Sequence, residues 1–522
     1  MPKRALVSVY DKTGVVDFTR ELVELGYEIV STGGTARKLK DGGVEVIPVS
    51  EVTEFPEMLE GRVKTLHPKI HGGLLALREN REHMQELKEQ GIRPIDMVVV
   101  NLYPFAETIS RDETTLEEAL ENIDIGGPTM IRSAAKNFQA VTVVTDPADY
   151  EALIAELKEN EGQLSRARKR ELARKAFEKT SSYDRMICDY LREQETKETE
   201  DNKLPAHFTM DYKKKMDLRY GENPHQRAAF YEDENITEPS VTGARQLHGK
   251  DLSFNNINDT DGALELIKEF REPAAAVIKH TNPCGLAVAD NICEAYIKAH
   301  AGDPMSAFGS IVALNRTLDR KTAAEIAGPD KFVEVVIAPG YEEKAVQVLK
   351  ERWDSVRLLE TGSLDRDCSR DKYELKKVTG GLLVQDRNDL LYRKEDLEVV
   401  TQKQPSGDQM QELLFAWTAV KHVKSNAIVM ARDRALVGVG AGQMSRVDAM
   451  IIAARKAEKR SEGAVVASDA FFPFRDAVDE AADNGITAII QPGGSIRDDE
   501  VIEAADEHDL VMVMTGNRHF KH

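Results

Sequence analysis

The sequence predicts an α/β protein made of two units, and three observations carry that prediction. The chain has 522 residues, more than one hydrophobic core usually supports. Short apolar runs alternate with amphipathic segments along most of its length. One wholly polar stretch, 194–203 (Gln-Glu-Thr-Lys-Glu-Thr-Glu-Asp-Asn-Lys), separates two such alternating regions. Before it, strand-like runs at 5–9, 28–31, 44–48, 97–101 and 141–145 alternate with helical patterns such as 14–25 and 148–159, and another helical pattern runs from about 164 to 191. That order predicts a parallel sheet with helices on both faces. After the polar stretch the alternation returns at 274–278, 311–314, 335–338, 427–432, 464–468, 486–491 and 510–515, which predicts a second, larger α/β unit. Two halves meeting around 378–403 are one arrangement for it, although no sequence repeat establishes them.

Composition narrows the class. With 41% hydrophobic and 31% charged residues the chain reads as an ordinary soluble protein. Met1-Pro2-Lys3-Arg4 runs straight into a strand without a signal-peptide core, and no segment approaches a membrane span, so the cytoplasm is the expected compartment. The four cysteines, Cys188, Cys284, Cys293 and Cys368, are too sparse for a disulfide framework, in keeping with a reducing environment. The net charge of −20, spread over the whole chain, argues against nonspecific binding to nucleic acid or an acidic membrane. A local basic pocket for a small anion is compatible with it.

The run at 274–278 ends on Lys279-His280, and Thr281-Asn282-Pro283-Cys284-Gly285 supplies turn chemistry that stops it. A charged pair is therefore expected at the mouth of a core strand, where α/β sheets bind ligands. Histidine accepts a proton near neutrality, and an adjacent lysine stabilises developing negative charge or assists a leaving group. The competing structural reading is a pair in a solvated loop.

Three segments of the first unit have the chemistry of an anion site. Ser8-Val9-Tyr10-Asp11-Lys12-Thr13-Gly14 leaves a strand and enters a helix, which offers Ser8, Lys12 and backbone N–H groups to a phosphate. Ser31-Thr32-Gly33-Gly34-Thr35 repeats the design. Both lack the Walker and dinucleotide spacings, which excludes an ATPase or dehydrogenase of those types. Gly61-Arg62-Val63-Lys64-Thr65-Leu66-His67-Pro68 sets Arg62 and Lys64 on one side if the backbone is extended. Further on, Asn101-Leu102-Tyr103-Pro104-Phe105 closes a strand, and Asn122-Ile123-Asp124-Ile125-Gly126-Gly127-Pro128 opens a helix carrying Arg132 and Lys136. Its free N–H groups form a positive end. Taken singly, Tyr103 also reads as a core-edge aromatic, Asp124 as an N-cap and Lys136 as a solvated helix residue.

Together, and in this order, the segments at 61–68, 101–105, 124–127, 218–226 and 279–285 resemble the family of bifunctional enzymes that join an inosine monophosphate (IMP) cyclohydrolase to an aminoimidazole carboxamide ribonucleotide (AICAR) formyltransferase. The resemblance covers essentially the whole chain. It implies a methylglyoxal-synthase-like domain at 1–197 with a parallel sheet, a linker at 198–203, and at 204–522 a pair of cytidine-deaminase-like α/β units. It also implies a homodimer whose formyltransferase site lies at the subunit interface, with AICAR, formyl-AICAR/IMP and 10-formyltetrahydrofolate as small-molecule partners, and no nucleic acid or membrane partner.

The resemblance assigns cyclisation to Lys64, Tyr103, Asp124 and Lys136, with Ser8, Lys12, Thr35, Arg62 and Thr65 holding the ribose phosphate. Formyl transfer falls to His280 as base and Lys279 as oxyanion or leaving-group support. Substrate contacts carry over to Arg219 and Tyr220 in Leu218–Gln226, to Phe308 and Gly309, to Asn426, to Phe471 and to Arg518. Glu334 occupies an acidic position that animal members often fill with Asp. Folate falls to Arg446 and Phe474, and His522 stands where two terminal histidines are common. The cosubstrate is 10-formyltetrahydrofolate, and no catalytic metal is implied. A zinc deaminase would need His-x-Glu and Pro-Cys-x-x-Cys, whereas His280 is followed two residues on by Asn282, and Pro283-Cys284 has Ala287 where the second cysteine belongs. A nonenzymatic nucleotide sensor would need phosphate contacts alone, without this set of proton-carrying groups.

Overall fold

Five apolar runs of the first half pair side by side in β1 (Lys3–Val9), β2 (Tyr27–Ser31), β3 (Ile47–Pro48), β4 (Met97–Asn101) and β5 (Thr142–Val144). The sheet order is β3-β2-β1-β4-β5, and every pairing is parallel. The order reverses at β1, so a crevice opens where β1 and β4 end. The structure is a computed structural model that describes residues 2–111, 113–199, 204–233, 236–364 and 372–522.

The polar stretch does not begin as the linker expected at 198–203. A helix that starts at Arg166 continues to Thr199, because Glu, Gln and Lys are good helix formers and need no apolar face to stay helical in water. Residues 200–203 of the expected linker lie outside the described residues. The chain divides into units Met1–Thr209 and Met210–His522, a boundary somewhat beyond the one expected.

The second unit holds two separate hairpins, β6 (Lys213–Leu218) with β7 (Ala228–Glu232) and β14 (Tyr373–Val378) with β15 (Gly381–Asp386). Among the described residues its main sheet has twelve strands. They are β8 (Arg245–His248), β9 (Ala274–Lys279), β10 (Asn282–Val288), β11 (Ser310–Leu314), β12 (Val333–Ala338), β13 (Arg357–Glu360), β16 (Glu398–Val399), β17 (Ile428–Arg432), β18 (Ala435–Gly440), β19 (Val465–Ser468), β20 (Ala488–Gln491) and β21 (Val511–Met514). The order is β16-β21-β20-β19-β17-β18-β10-β9-β11-β12-β13-β8.

From its centre outward this sheet reads the same way twice. Each half has an antiparallel hairpin (β9-β10, β17-β18), a strand antiparallel to it (β11, β19), two parallel strands (β12-β13, β20-β21) and an antiparallel edge (β8, β16). Helices recur in step: Phe254–Ile267 and Gly407–Val420 precede the hairpins, and Ile292–Gly302 and Arg446–Ala457 follow them. The halves join through β10 and β18, with Ala287 opposite Ala435. Gly285 and Gly438 occupy matching places, where a Cβ would run into the carbonyls of Ala299 and Ala453 on the following helices. The repeat that the sequence does not establish is therefore plain in the backbone.

Alternate residues of β9 enter different cores. Ala274, Ala276 and Ile278 join a layer that spans both halves and includes Trp417, while Ala275 and Val277 join a layer under the first half. Burial on both faces makes such strands read as continuous apolar runs. All seven runs expected in this unit are strands. Asn-Pro-Cys-Gly has the chemistry of a turn, yet these residues open β10, which absorbs Pro283 at a register shift between Pro283 and Gly285. No helix among the described residues is long and apolar enough to cross a membrane.

Candidate active sites

In the first unit the side chain of Asn101 ties the ends of β1 and β4 together. Its Oδ1 accepts from Tyr10 N (2.6 Å) and Asp11 N (3.0 Å), and its Nδ2 donates to Asp11 O (2.9 Å). Around this crevice Ser8 Oγ lies 2.9 Å from Thr32 Oγ1, and buried Thr35 bonds both backbone groups of Val9. Lys12 Nζ donates to Tyr10 O (3.0 Å). The helix Gly33–Asp41 starts here without a side-chain cap, which leaves N–H groups free for an anion.

Lys64 and Thr65 enter the same crevice. Lys64 Nζ would lie 3.7 Å from a Cβ on Gly33 and 3.8 Å from one on Gly61, so glycine provides the floor beneath the ammonium. A Cβ on Gly126 would come within 2.8 Å of Thr65 Oγ1, so a bare backbone lets the helix start at Gly126 approach Thr65. Asp124 Oδ1 accepts from Gly127 N (2.8 Å), and Asp124 N donates to the hydroxyl of buried Tyr183 (2.8 Å). Burial pushes the Asp124 carboxyl up, against the pull of the Gly127, Tyr103 and Gly126 amides and of Lys64. Burial and the Asp124 charge push the Tyr103 phenol up as well, so Tyr103 stays protonated near neutrality. Its ring lies 5.6 Å from that of Tyr10.

Two expected residues stand apart. The 61–68 segment is not an extended strand: it leaves a short helical turn, Leu59–Gly61, and Arg62 takes helical dihedrals. Arg62 therefore points outward to pair with Glu121 while Lys64 points in. Lys136 ends the helix whose first turn sits at Asp124, a separation of about 15 Å for ten residues of helix. It lines a cleft with Arg132, Arg170, Arg174 and Phe177 instead. Lys64, Tyr103 and Asp124 are brought together within the chain; Lys136 is not.

In the second unit Lys279 ends β9, and His280 and Thr281 form a two-residue turn with φ of 52° and 64°, the geometry of a type I′ hairpin. His280 is exposed on it. Lys279 Nζ donates to the carbonyls of Phe308 (3.0 Å) and Gly309 (2.8 Å), which aims the ammonium and leaves one donor for a ligand. Gly309 is required there, with φ of 69° and Lys279 Nζ 3.1 Å from the place of a Cβ. Thr281 N donates to Asp259 Oδ1 (2.9 Å), and Asn282 Oδ1 accepts from Lys424 N (2.9 Å), which brings the second half to the turn. Asn426 follows, exchanging backbone hydrogen bonds with Gln443.

The remaining expected contacts divide into exposed and committed groups. Phe308, Phe471 and Phe474 are exposed, whereas Phe472 is core. Arg497 covers the Phe474 ring, Arg518 covers Phe520, whose ring lies 5.7 Å from that of His522, and Arg219 covers Tyr220 just past β6. Glu334 accepts from Asn256 Nδ2 (2.8 Å) and lies 3.8 Å from Arg357. Arg446 is buried and bonded to Asp469, which is fully buried and also accepts from Ser425 Oγ and Ala427 N. This pairing makes Arg446 an internal strut, held against Asp469 at the segment expected to meet folate. Sequence reasoning missed Asp259 and assigned no role to Asp469; an acidic residue on the helix before each hairpin, Asp259 and Glu412, was the available signal. Among the described residues no group of three or more His, Cys, Asp or Glu is arranged to hold a metal ion.

A fold with proton-carrying groups and lysines at the strand exits of two separate units defines a two-site enzyme. The comparisons give the particular family. A model described as "AICARFT/IMPCHase bienzyme" matches residues 134–456, and one described as "MGS-like domain" matches residues 14–129. The bifunctional purine biosynthesis protein PurH of Acetivibrio thermocellus is 53% identical over 522 residues, covering all of both chains, as is that of Bacillus cereus. The PurH protein of Magnetococcus marinus is 54% identical over 532 residues, covering 100% of this chain and 99% of its own. The chain belongs to the AICAR formyltransferase/IMP cyclohydrolase family, and its first unit is methylglyoxal-synthase-like.

Proposed function

We infer that the chain catalyses the last two steps of IMP synthesis, formyl transfer to the 5-amino group of AICAR and then dehydrative ring closure of formyl-AICAR, with ring closure in unit 1–209 and formyl transfer in unit 210–522. The observation that carries the division is one lysine at each site, Lys64 close to Gly33 and Gly61 in one unit and Lys279 held on two carbonyls in the other. Family membership supplies both activities.

For ring closure the carboxamide nitrogen attacks the formyl carbon of the same molecule, and the resulting hydroxyl leaves as water. The enzyme selects the reactive rotamer, stabilises an oxyanion and moves protons. Lys64 and the helix start at Gly126 support the oxyanion. Tyr103 donates, and Asp124, raised by burial, accepts and returns a proton. Ser8, Lys12, Thr35, Thr65 and the Gly33 helix start hold the ribose phosphate. Lys136 and Arg62 have no place in this cluster within one chain.

For formyl transfer the amine attacks the formyl carbon of a folate cosubstrate, which we assign as 10-formyltetrahydrofolate. His280 takes the amine proton, Lys279 stabilises the tetrahedral oxyanion, and the folate nitrogen leaves with a proton. Asn426, Phe308, Phe471, Glu334 and Arg518 contact AICAR, and Phe474 stacks on the pterin. Arg219 and Tyr220 reach AICAR from the second subunit of a homodimer, and the enzyme works in the cytoplasm.

The test is mass-spectrometric product analysis after mixing the purified protein with AICAR and 10-formyltetrahydrofolate. IMP together with tetrahydrofolate is expected. Formyl-AICAR accumulating without IMP removes the assignment of unit 1, and no turnover by folded protein removes both.

A further inference from the structure

The internal repeat of the second unit supplies its own control for the hairpin that bears His280. In the first half Asp259, on the helix Phe254–Ile267, accepts the amide of Thr281 at 2.9 Å. In the second half Glu412, on the matching helix Gly407–Val420, accepts the amide of Arg434 at 3.0 and 2.9 Å. Both turns are left-handed at both central residues, with φ of 56° and 53° at Asp433 and Arg434. The cation that ends each first strand also recurs: Lys279 donates to the Phe308 carbonyl, and Arg432 to the Glu462 carbonyl (2.8 Å). A carboxylate beneath the turn is thus a structural device of this repeat. Only the first half puts an imidazole above it, a group that becomes a cation on taking a proton near neutrality, since Asp433 stands where His280 would be.

We propose that Asp259 is a positioning residue for formyl transfer, holding the turn through Thr281 and stabilising the imidazolium that His280 becomes when it takes the amine proton. The proposal rests on His280 being the base. The charged groups at this turn are Lys279, which ends the same strand, His280 once it is protonated, and Asp259 on the packed helix. Asp259 supplies the negative charge among them. Burial pushes its carboxyl up, while the Thr281 amide, the charge and amide of His280 and the charge of Lys279 pull it down. No proton need pass to Asp259: the proton moves from the amine to His280, and the carboxylate lowers the cost of the charge formed there.

The experiment compares Asp259→Asn, Asp259→Glu and, as a control, Glu412→Gln. Asn keeps an oxygen for the Thr281 amide and removes the charge; Glu keeps the charge and is already accommodated at the matching place in the second half. Asp259→Asn is expected to lower kcat for formyl transfer roughly 10- to 100-fold and to move the acid limb of kcat/KM to lower pH, with cyclisation of supplied formyl-AICAR unchanged. Asp259→Glu is expected to keep the acid limb, and Glu412→Gln to leave both activities unchanged. A wild-type pH profile in folded Asp259→Asn overturns the proposal. An acid limb displaced in Asp259→Glu overturns it too, and that variant decides the matter if Asp259→Asn does not fold. His280→Ala separates the two claims: if it retains formyl transfer, the assignment of the base has failed, and if it abolishes transfer while Asp259→Asn behaves as wild type, only this inference has.

Discussion

Arg446 shows at the scale of one residue how a motif match and a contact can part. Its segment, Gly442–Arg446, resembles one expected to meet folate, and the side chain turns inward to Asp469, which has no exposure of its own. Asp469 in turn fixes Ser425 and the amide of Ala427, next to Asn426. Removing the guanidinium would leave a carboxylate buried without its cation. Arg446→Ala is therefore expected to destabilise the second unit by about 3–5 kcal/mol, measured by chemical denaturation. A surface contact to folate would instead raise KM for the cosubstrate at unchanged stability. Lys64 and Lys279, both singled out from short motifs, turn toward backbone instead, Lys64 close to Gly33 and Gly61 and Lys279 onto the carbonyls of Phe308 and Gly309. Asp259 was not legible, since its role depends on a hairpin turn whose second strand, Asn282–Val288, carries the residues that normally end strands.

Among elements, the strands buried on both faces were the legible ones, and the strands that interrupt them with Gly or Pro were not. Ala435–Gly440 has glycines because the following helix lies against it, a tertiary fact with no local signal. The repeat stayed hidden for a related reason: matching places keep geometry while changing chemistry, as at His280 and Asp433. The helices Phe254–Ile267 and Gly407–Val420 end on matching pairs, Lys268-Glu269 and Lys421-His422, and these meet. Glu269 Oε1 lies 2.9 Å from Lys421 Nζ and 3.5 Å from His422 Nε2. Burial pushes His422 down to about 4, so it is neutral in the fold. Burial pushes Glu269 up, but His422 and Lys421 prevail and hold it below the usual carboxylate range. An unfolded histidine binds its proton near pH 6.5. Between about 6.5 and 4 the unfolded chain therefore holds more protons than the fold at this site, and stability falls as pH drops. The slope is at most about 1.4 kcal/mol per pH unit, and the Glu269 contribution begins to be lost below about 4.5. Denaturation midpoints across this window should fall more steeply in the native protein than in His422→Gln. Equal slopes would show that His422 titrates alike in both states.

For the whole molecule, two units with separate cores and separate lysines make the two activities separable by single substitutions. Lys64→Ala removes the ammonium proposed to support the cyclisation oxyanion, an expected loss of about 10²–10³ in kcat for one such donor, and leaves the 210–522 unit untouched. It should convert AICAR to formyl-AICAR and stop there. His280→Ala removes the group proposed as base of the other unit and should cyclise supplied formyl-AICAR while making none from AICAR. A mixture of the two variants then restores IMP from AICAR, because the intermediate released by one chain is a substrate for the other. The acidic surface that follows from the net charge of −20 gives an anionic intermediate no reason to linger outside the basic crevices, so it should appear free in solution and be detectable by mass spectrometry. Loss of both activities in either folded variant would mean that the units share one catalytic apparatus, and the division of labour proposed for them would fall.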